Sequence, residues 1–216
     1  MSDLFNFFTD NASLLLDRTW EHIIIAAIAI AIALVLALPA GVFLGHLHKG
    51  SLLAINISNV LRALPSLALI AISLAFIGLS RLNITIALVA LAIPPILTNA
   101  YVAVAGVDPD AVESARGMGM SERQVLTQVE LPLSWPLIFA GIRTAAVYVI
   151  ATAALAALAG GGGLGDVIVN QSTYGLVGVI AATIVTVVLA FAADGALGLV
   201  QRAVTPKGLV VSKELH

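Results

Sequence analysis

Residues Ile23–Leu44 read IIIAAIAIAIALVLALPAGVFL, and no ionisable side chain interrupts them. A helix of this length rises about 33 Å at 1.5 Å per residue. The hydrocarbon core of a bilayer is about 30 Å thick and takes roughly 20 apolar residues to cross. The stretch is therefore a membrane-spanning helix. Downstream of it, four more apolar stretches follow: Leu52–Leu79, Ile84–Ala105, Leu137–Ala159 and Leu176–Val200. The expected fold is all-α, a polytopic membrane protein with about five transmembrane helices in one domain covering residues 1–216. Leu52–Leu79 is the least regular, because Arg62 and Pro65 interrupt it. A single kinked crossing is expected there; an interfacial segment followed by a short span from Pro65 is the alternative.

Composition agrees with this reading. Of 216 residues, 60% are hydrophobic and 10% charged, whereas soluble domains carry roughly 25% charged residues. Mean hydropathy is +1.08. The formal net charge of −2 gives no basic patch for nucleic acid, and cysteine is absent. That removes disulfides, thiolate metal sites and a cysteine nucleophile. His46 and His48 beside Lys49 are read as interfacial polar residues, so no metal site is expected. The start, Met1-Ser2-Asp3-Leu4-Phe5, lacks a basic leader region. Leu4–Leu16 mixes Phe and Leu with Asp and Asn, which suits either an amphipathic segment on the outer interface or a loose terminus.

Lysine and arginine placement sets orientation, because cytoplasmic loops collect them. With five spans and the N-terminus outside, Lys49, Arg116, Arg123, Arg202, Lys207 and Lys213 face the cytoplasm, with Arg143 just inside the fourth span. Only Arg18 and Arg81 then lie outside, and Arg62 can fall on either side. The expectation is N-terminus out and C-terminus in, with a short cytoplasmic tail from Pro206-Lys207-Gly208.

The most polar long segment is residues 106–136. Asp108 and Pro109 form a helix start, a capping side chain followed by proline at the first helical position. A short helix should follow through Glu113, Ser114 and Ala115, ended or bent by Gly117 and Gly119. Ser121-Glu122-Arg123-Gln124 has capping-box spacing and starts a second helix, expected to end near Leu131-Pro132.

Glu113-Ser114-Ala115, Gly119, Val129, Leu131 and Pro132 resemble the cytoplasmic signature of ABC importer permeases, with Ser114 and Val129 as its departures. The segments Ala63–Leu69, Thr98–Tyr101, Gly106–Pro109, Ala115–Gly119, Gly141–Thr144 and Gly160–Gly165 are similar to permeases of the osmoprotectant group, which take betaine, choline, carnitine or proline. The resemblance implies a MetI-like permease fold in a prokaryotic inner membrane. It implies that 106–136 is a coupling loop, in which Glu113, Ser114, Ala115, Arg116, Gly117, Gly119, Leu131 and Pro132 meet an ATPase. It also implies two ATP-binding subunits, a second permease subunit, identical or related, and an extracytoplasmic substrate-binding protein. A methionine-type permease shares several of these features; a secondary transporter or channel is the alternative from another class.

No catalytic residue is expected. The run Gly160–Gly163 continues with Leu164, Gly165 and Asp166 and has no lysine, so it is not a phosphate loop. ATP and magnesium belong on a partner, and this chain holds no cofactor. Gly160, Gly161, Gly162, Gly163 and Gly165 are candidates for an outer gate or a turn, with Asp166, Asn170 and Gln171 beside them. Asp194 lies inside the fifth span, where a lone acid costs roughly 2.5–3.5 kcal/mol. Counting in from the cytoplasmic span ends puts Arg143 at the same depth, so an Arg143–Asp194 pair is expected, with Arg62 as rival partner. Pro39, Pro94 and Pro95 are expected to bend their spans.

Overall fold

The computed structural model describes residues 2–48, 56, 58–60, 63 and 65–205. Expectations placed on Lys49, Arg62, most of Leu52–Leu64 and the tail from Pro206 lie outside the described residues.

Helix α1 covers Ser2–Asp10 and α2 covers Ala12–His46. A shorter apolar helix, α3, runs Ser66–Ile77, and α4 runs Arg81–Ala105. Two short helices, α5 (Pro109–Gly117) and α6 (Glu122–Val125), lead through a π-helical turn at Leu126–Glu130 into α7, Leu131–Ala153. A 3₁₀ segment, Ala154–Ala159, precedes α8 (Leu164–Val169) and α9 (Gln171–Val204).

Four helical runs are long and apolar enough to cross a membrane: Ala12–His46, Arg81–Ala105, Glu122–Ala159 and Gln171–Val204. Within the fifth expected stretch, Leu52–Leu79, α3 has 12 residues. It rises about 18 Å, too short to cross alone. Pro65 is its N-cap, where a missing N–H costs nothing.

The bundle is organised from small residues. In α2, Ala26, Ala29, Ala33, Ala37, Gly41 and Gly45 are buried, a stripe at helical spacing. A Cβ on Gly41 would stand 2.7 Å from the Leu97 carbonyl oxygen, so α2 and α4 touch backbone to backbone. Gly141 brings α7 equally close to Pro95 of α4. Ile28, Ile32, Val35, Leu36 and Phe43, on the other side of α2, are exposed. Small residues inside and large apolar ones outside are the arrangement of helices that associate in lipid, where close packing replaces the hydrophobic drive.

Helix α1 is not a loose terminus. It packs on α9, where Phe7 lies against Gly178 and joins a cluster with Leu15, Leu164 and Tyr174. Pro39, Pro94 and Pro95 all lie inside helices that continue past them. Helix α9 carries its break at Gly175, whose φ of 66° and ψ of 177° interrupt the helical backbone.

Candidate coupling loop and polar ends of the bundle

The loop between α4 and α7 is built from its caps. The Asp108 carboxylate accepts from the Asp110 N–H at 3.0 Å, and Pro109 opens α5. At the other end Gly119 takes φ +85°, and two return bonds close the helix: Met120 N–H to Ala115 O at 3.2 Å and Gly119 N–H to Arg116 O at 2.9 Å. This 6→1 and 5→2 pair is the Schellman stop, which favours glycine at the left-handed position. Ser121 and Gln124 then form a reciprocal capping box that starts α6.

The expected end of the second helix near Leu131-Pro132 is not observed. The chain passes from α6 through the π turn into α7 without a break, and Pro132 lies in the first turn of α7. A proline inside a helix removes one i→i−4 bond and crowds the preceding turn. Here the preceding turn is widened, with the Leu131 N–H bonded to Leu126 O. The wide turn makes room for the ring, so the rod continues.

Val112 and Ala115 of α5 face inward onto Val107 and Val125. Glu113, Ser114, Arg116, Gly117 and Gly119 face outward, and Met118 is 74% exposed. A Cβ on Gly117 or Gly119 would meet nothing within 4 Å. Leu131 and Pro132 are half-buried at the foot of the loop. Arg116 forks onto Glu122, Nε to Oε1 at 3.0 Å and Nη2 to Oε2 at 2.9 Å. That hydrogen-bonded fork raises the Arg116 pKa and holds the Glu122 carboxyl below its ordinary range.

At the opposite end of α2 the glycine run is wedged against its own chain. Gly160, Gly162 and Gly163 all have positive φ. A Cβ on Gly162 would lie 2.7 Å from the Glu21 carboxyl carbon, and one on Gly161 would lie 2.9 Å from Ala156 Cβ. One on Gly165 would lie 2.1 Å from the Ala154 carbonyl oxygen. The Gly163 N–H donates to Glu21 Oε2 at 3.0 Å. Glu21 also accepts from Arg18 at 2.9 Å and from Arg81, and Arg18 reaches Asp166 at 3.0 Å. Asn170 caps the end of α8 by donating to Asp166 O, and Gln171 opens α9.

Beside this loop His22 is fully buried, with Nε2 2.9 Å from the Ile150 carbonyl oxygen. A carbonyl only accepts, so Nε2 carries the proton.

Within the bundle Arg143 and Asp194 face each other as a fork: Nε to Oδ1 at 2.8 Å and Nη2 to Oδ2 at 2.7 Å. Both side chains are 34% exposed. The third guanidinium nitrogen donates to Gln201 Oε1 at 3.0 Å, and Gln201 donates to Pro136 O at 2.9 Å. Thr144, Val147 and Tyr148 lie beside the pair on one side of α7.

Sequence reasoning did not find Glu21, His22 or Glu130 and read His46 as an interfacial polar residue. Glu21 and His22 sit at the edge of the first apolar run, where polar residues look like a solvated helix end. Glu130 is 0% exposed and lies 2.6 Å from His46 Nδ1. One signal was present: an acid directly before Leu131-Pro132, followed by a mostly apolar stretch.

A bundle with lipid-type packing and an exposed helix–turn–helix loop is that of a multi-pass integral-membrane protein. The chain belongs to the family of binding-protein-dependent transport system inner membrane components, whose model matches residues 37–206. It is 37% identical over 216 residues, all of both chains, to the glycine betaine/carnitine/choline transport system permease protein OpuCB of Bacillus subtilis (strain 168). It is 39% identical over 215 residues, 99% of each chain, to the carnitine transport permease protein OpuCB of Listeria monocytogenes. Among solved structures, a chain of the inward-facing MetNI methionine ABC transporter superposes with a TM-score of 0.77 at 22% identity, covering 89% of this chain and 97% of that one. That likeness establishes a MetI-like fold.

Proposed function

We propose that this chain, with a second permease subunit identical or related to it, forms the membrane pathway of an ATP-driven importer for small osmoprotectants of the glycine betaine, choline and carnitine type. The observation that carries the reading is full-length similarity to permeases of that solute class, joined to an outward-facing α5 with open space over Gly117 and Gly119. The exposed side of α5, with Glu113, Ser114, Arg116, Gly117 and Gly119, docks an ATP-binding subunit. Leu131 and Pro132 anchor its foot. Two such subunits supply ATP and magnesium chemistry, and an extracytoplasmic binding protein supplies the solute. The chain lies in the inner membrane of a prokaryote with its N-terminus outside.

A methionine-type importer has the fold likeness in its favour. The osmoprotectant reading has greater identity over the whole chain. Purification of the tagged permease should bring an ATPase subunit with it, and reconstituted vesicles should take up glycine betaine, choline or carnitine on ATP addition. Methionine uptake would move the assignment to the second solute class. A permease that recovers no ATPase and conducts without ATP would be a channel or secondary transporter.

The Arg143–Asp194 fork ties α7 to α9. Arg143→Asp and Asp194→Arg should each lower the melting temperature of the detergent-solubilised protein, and the exchanged pair should recover most of the loss. An exchange as unstable as either single variant would remove the tie. The wedged glycine run is the outer closure of the pathway, held by Glu21.

A further inference from the structure

Glu130 is the most deeply buried acid among the described residues, at 0% exposure. Its Oε2 lies 2.6 Å from His46 Nδ1, so one proton is held between them. Its Oε1 has no partner among the described residues. Burying a carboxylate is costly even when it is paired, and an apolar group of similar volume often serves stability as well. Packing alone therefore does not account for an acid at this point.

Its position does. Glu130 ends the π turn that joins the loop to α7. His46 is the last residue of α2, and its Nε2 lies 3.6 Å from Glu122 Oε2. Glu122 is forked to Arg116 of α5. Four side chains thus run in line from the outward-facing helix to the end of α2 and the base of α7. The apolar cluster of the loop, centred on Val112 and Val125, is separate from the clusters of the bundle. The polar line bridges that gap.

We propose that His46 and Glu130 are positioning residues that carry movement of α5 into α2 and α7. This rests on the loop being the ATPase contact. A displaced α5 moves Glu122 through the Arg116 fork, and Glu122 faces the imidazole that grips Glu130. Glu130 stands at the end of the π turn, the one place where the rod from loop to α7 departs from regular α-helical bonding.

The test uses the permease with its ATPase subunits in vesicles, supplied with loaded binding protein, and reads solute taken up per ATP hydrolysed. His46→Leu and Glu130→Leu should keep hydrolysis and assembly, with uptake per ATP falling about tenfold, mid-range for residues in direct contact. Glu130→Gln, still able to accept from the imidazole, should hold the wild-type ratio. The double Leu variant should lose no more than either single one. Unchanged ratios in the single variants, or losses that multiply in the double, would overturn the proposal.

A second measurement needs no ATPase. In the permease alone, Glu130→Leu should speed amide exchange both in residues 41–46 and in 109–125, while leaving 12–21 as before. Unaltered exchange in the first two segments would also overturn it. Absence of a co-purifying ATPase would instead sink the proposed function, and amide exchange would still decide whether the polar line joins loop to bundle.

Discussion

The two ends of α2 use glycine in opposite ways. Near Glu21, Gly161, Gly162 and Gly165 are glycine because the chain itself fills the space where a side chain would be. Beyond His46, Gly117 and Gly119 have open space over them. Glu21 and His46 are separated along the helix by about 38 Å at 1.5 Å per residue. One end is closed on itself by Arg18, Arg81 and the Gly163 N–H. The other leaves Gly117 bare, with no internal reason for it. Glycine as a residue type says little; what its missing Cβ would touch separates a self-packed loop from a surface shaped for something else.

The sharpest way to break this contrast is Gly165→Ala. Its Cβ would meet a backbone carbonyl, which cannot swing away, so the variant should lose about 3 kcal/mol, the upper part of the overpacking range. Thermal unfolding in detergent measures it, and an unchanged midpoint would mean that the wedge is loose. Next comes Glu21→Leu, which leaves two guanidinium groups and one backbone N–H without their shared acceptor. Hydrogen bonds to charged groups contribute about 1.5–3 kcal/mol, so the loss should be about 2 kcal/mol by the same assay.

Much of this was legible in the residues. Apolar runs and their lengths located four long helices, because the bilayer sets a minimum length that few other structures demand. Asp108-Pro109 and Ser121–Gln124 placed the loop helices, because caps act locally. Arg143 and Asp194, paired in the expectation by counting residues from the span ends, lie within hydrogen-bond distance of each other. The unbroken passage through Pro132 was not legible, because a π turn has no sequence signal comparable to a cap. Nor was the Glu21 cluster: its members come from positions 18, 21, 81, 163 and 166, and only the fold brings them together. His46 and Glu130, 84 positions apart, escaped notice for the same reason.

Smaller effects sharpen the contrast at the loop end. Gly119→Ala should cost about 1 kcal/mol, because φ +85° is strained for any residue with a Cβ. Gly117→Leu should leave the melting midpoint where it was, since nothing in the chain opposes the new side chain. Recovery of the ATPase on purification should nevertheless fall in that variant. Equal recovery would make Gly117 incidental. The smallest effect is electrostatic. Glu122, hydrogen-bonded by Arg116, has a lowered pKa, so the fork's contribution is present above the ordinary glutamate range and is lost as pH falls through the lowered value. Carbon NMR of the Glu122 carboxyl should place its midpoint below that of a free glutamate, and Arg116→Ala should return it.

The π turn at Leu126–Glu130 also fixes an angle. An α-helix advances about 100° per residue, and a π turn accommodates one residue beyond the regular count. Everything from Leu131 onward is clocked by that extra residue relative to α6. Winding the same residues as regular α-helix would rotate α7 by about a quarter-turn or more against the loop, swinging Arg143 away from α9. Deleting Thr127 along with the wide turn would leave that azimuth nearly unchanged. The azimuth at which this subunit presents its charged residue is thus indexed by how one wide turn absorbs a single inserted amino acid at the membrane's edge.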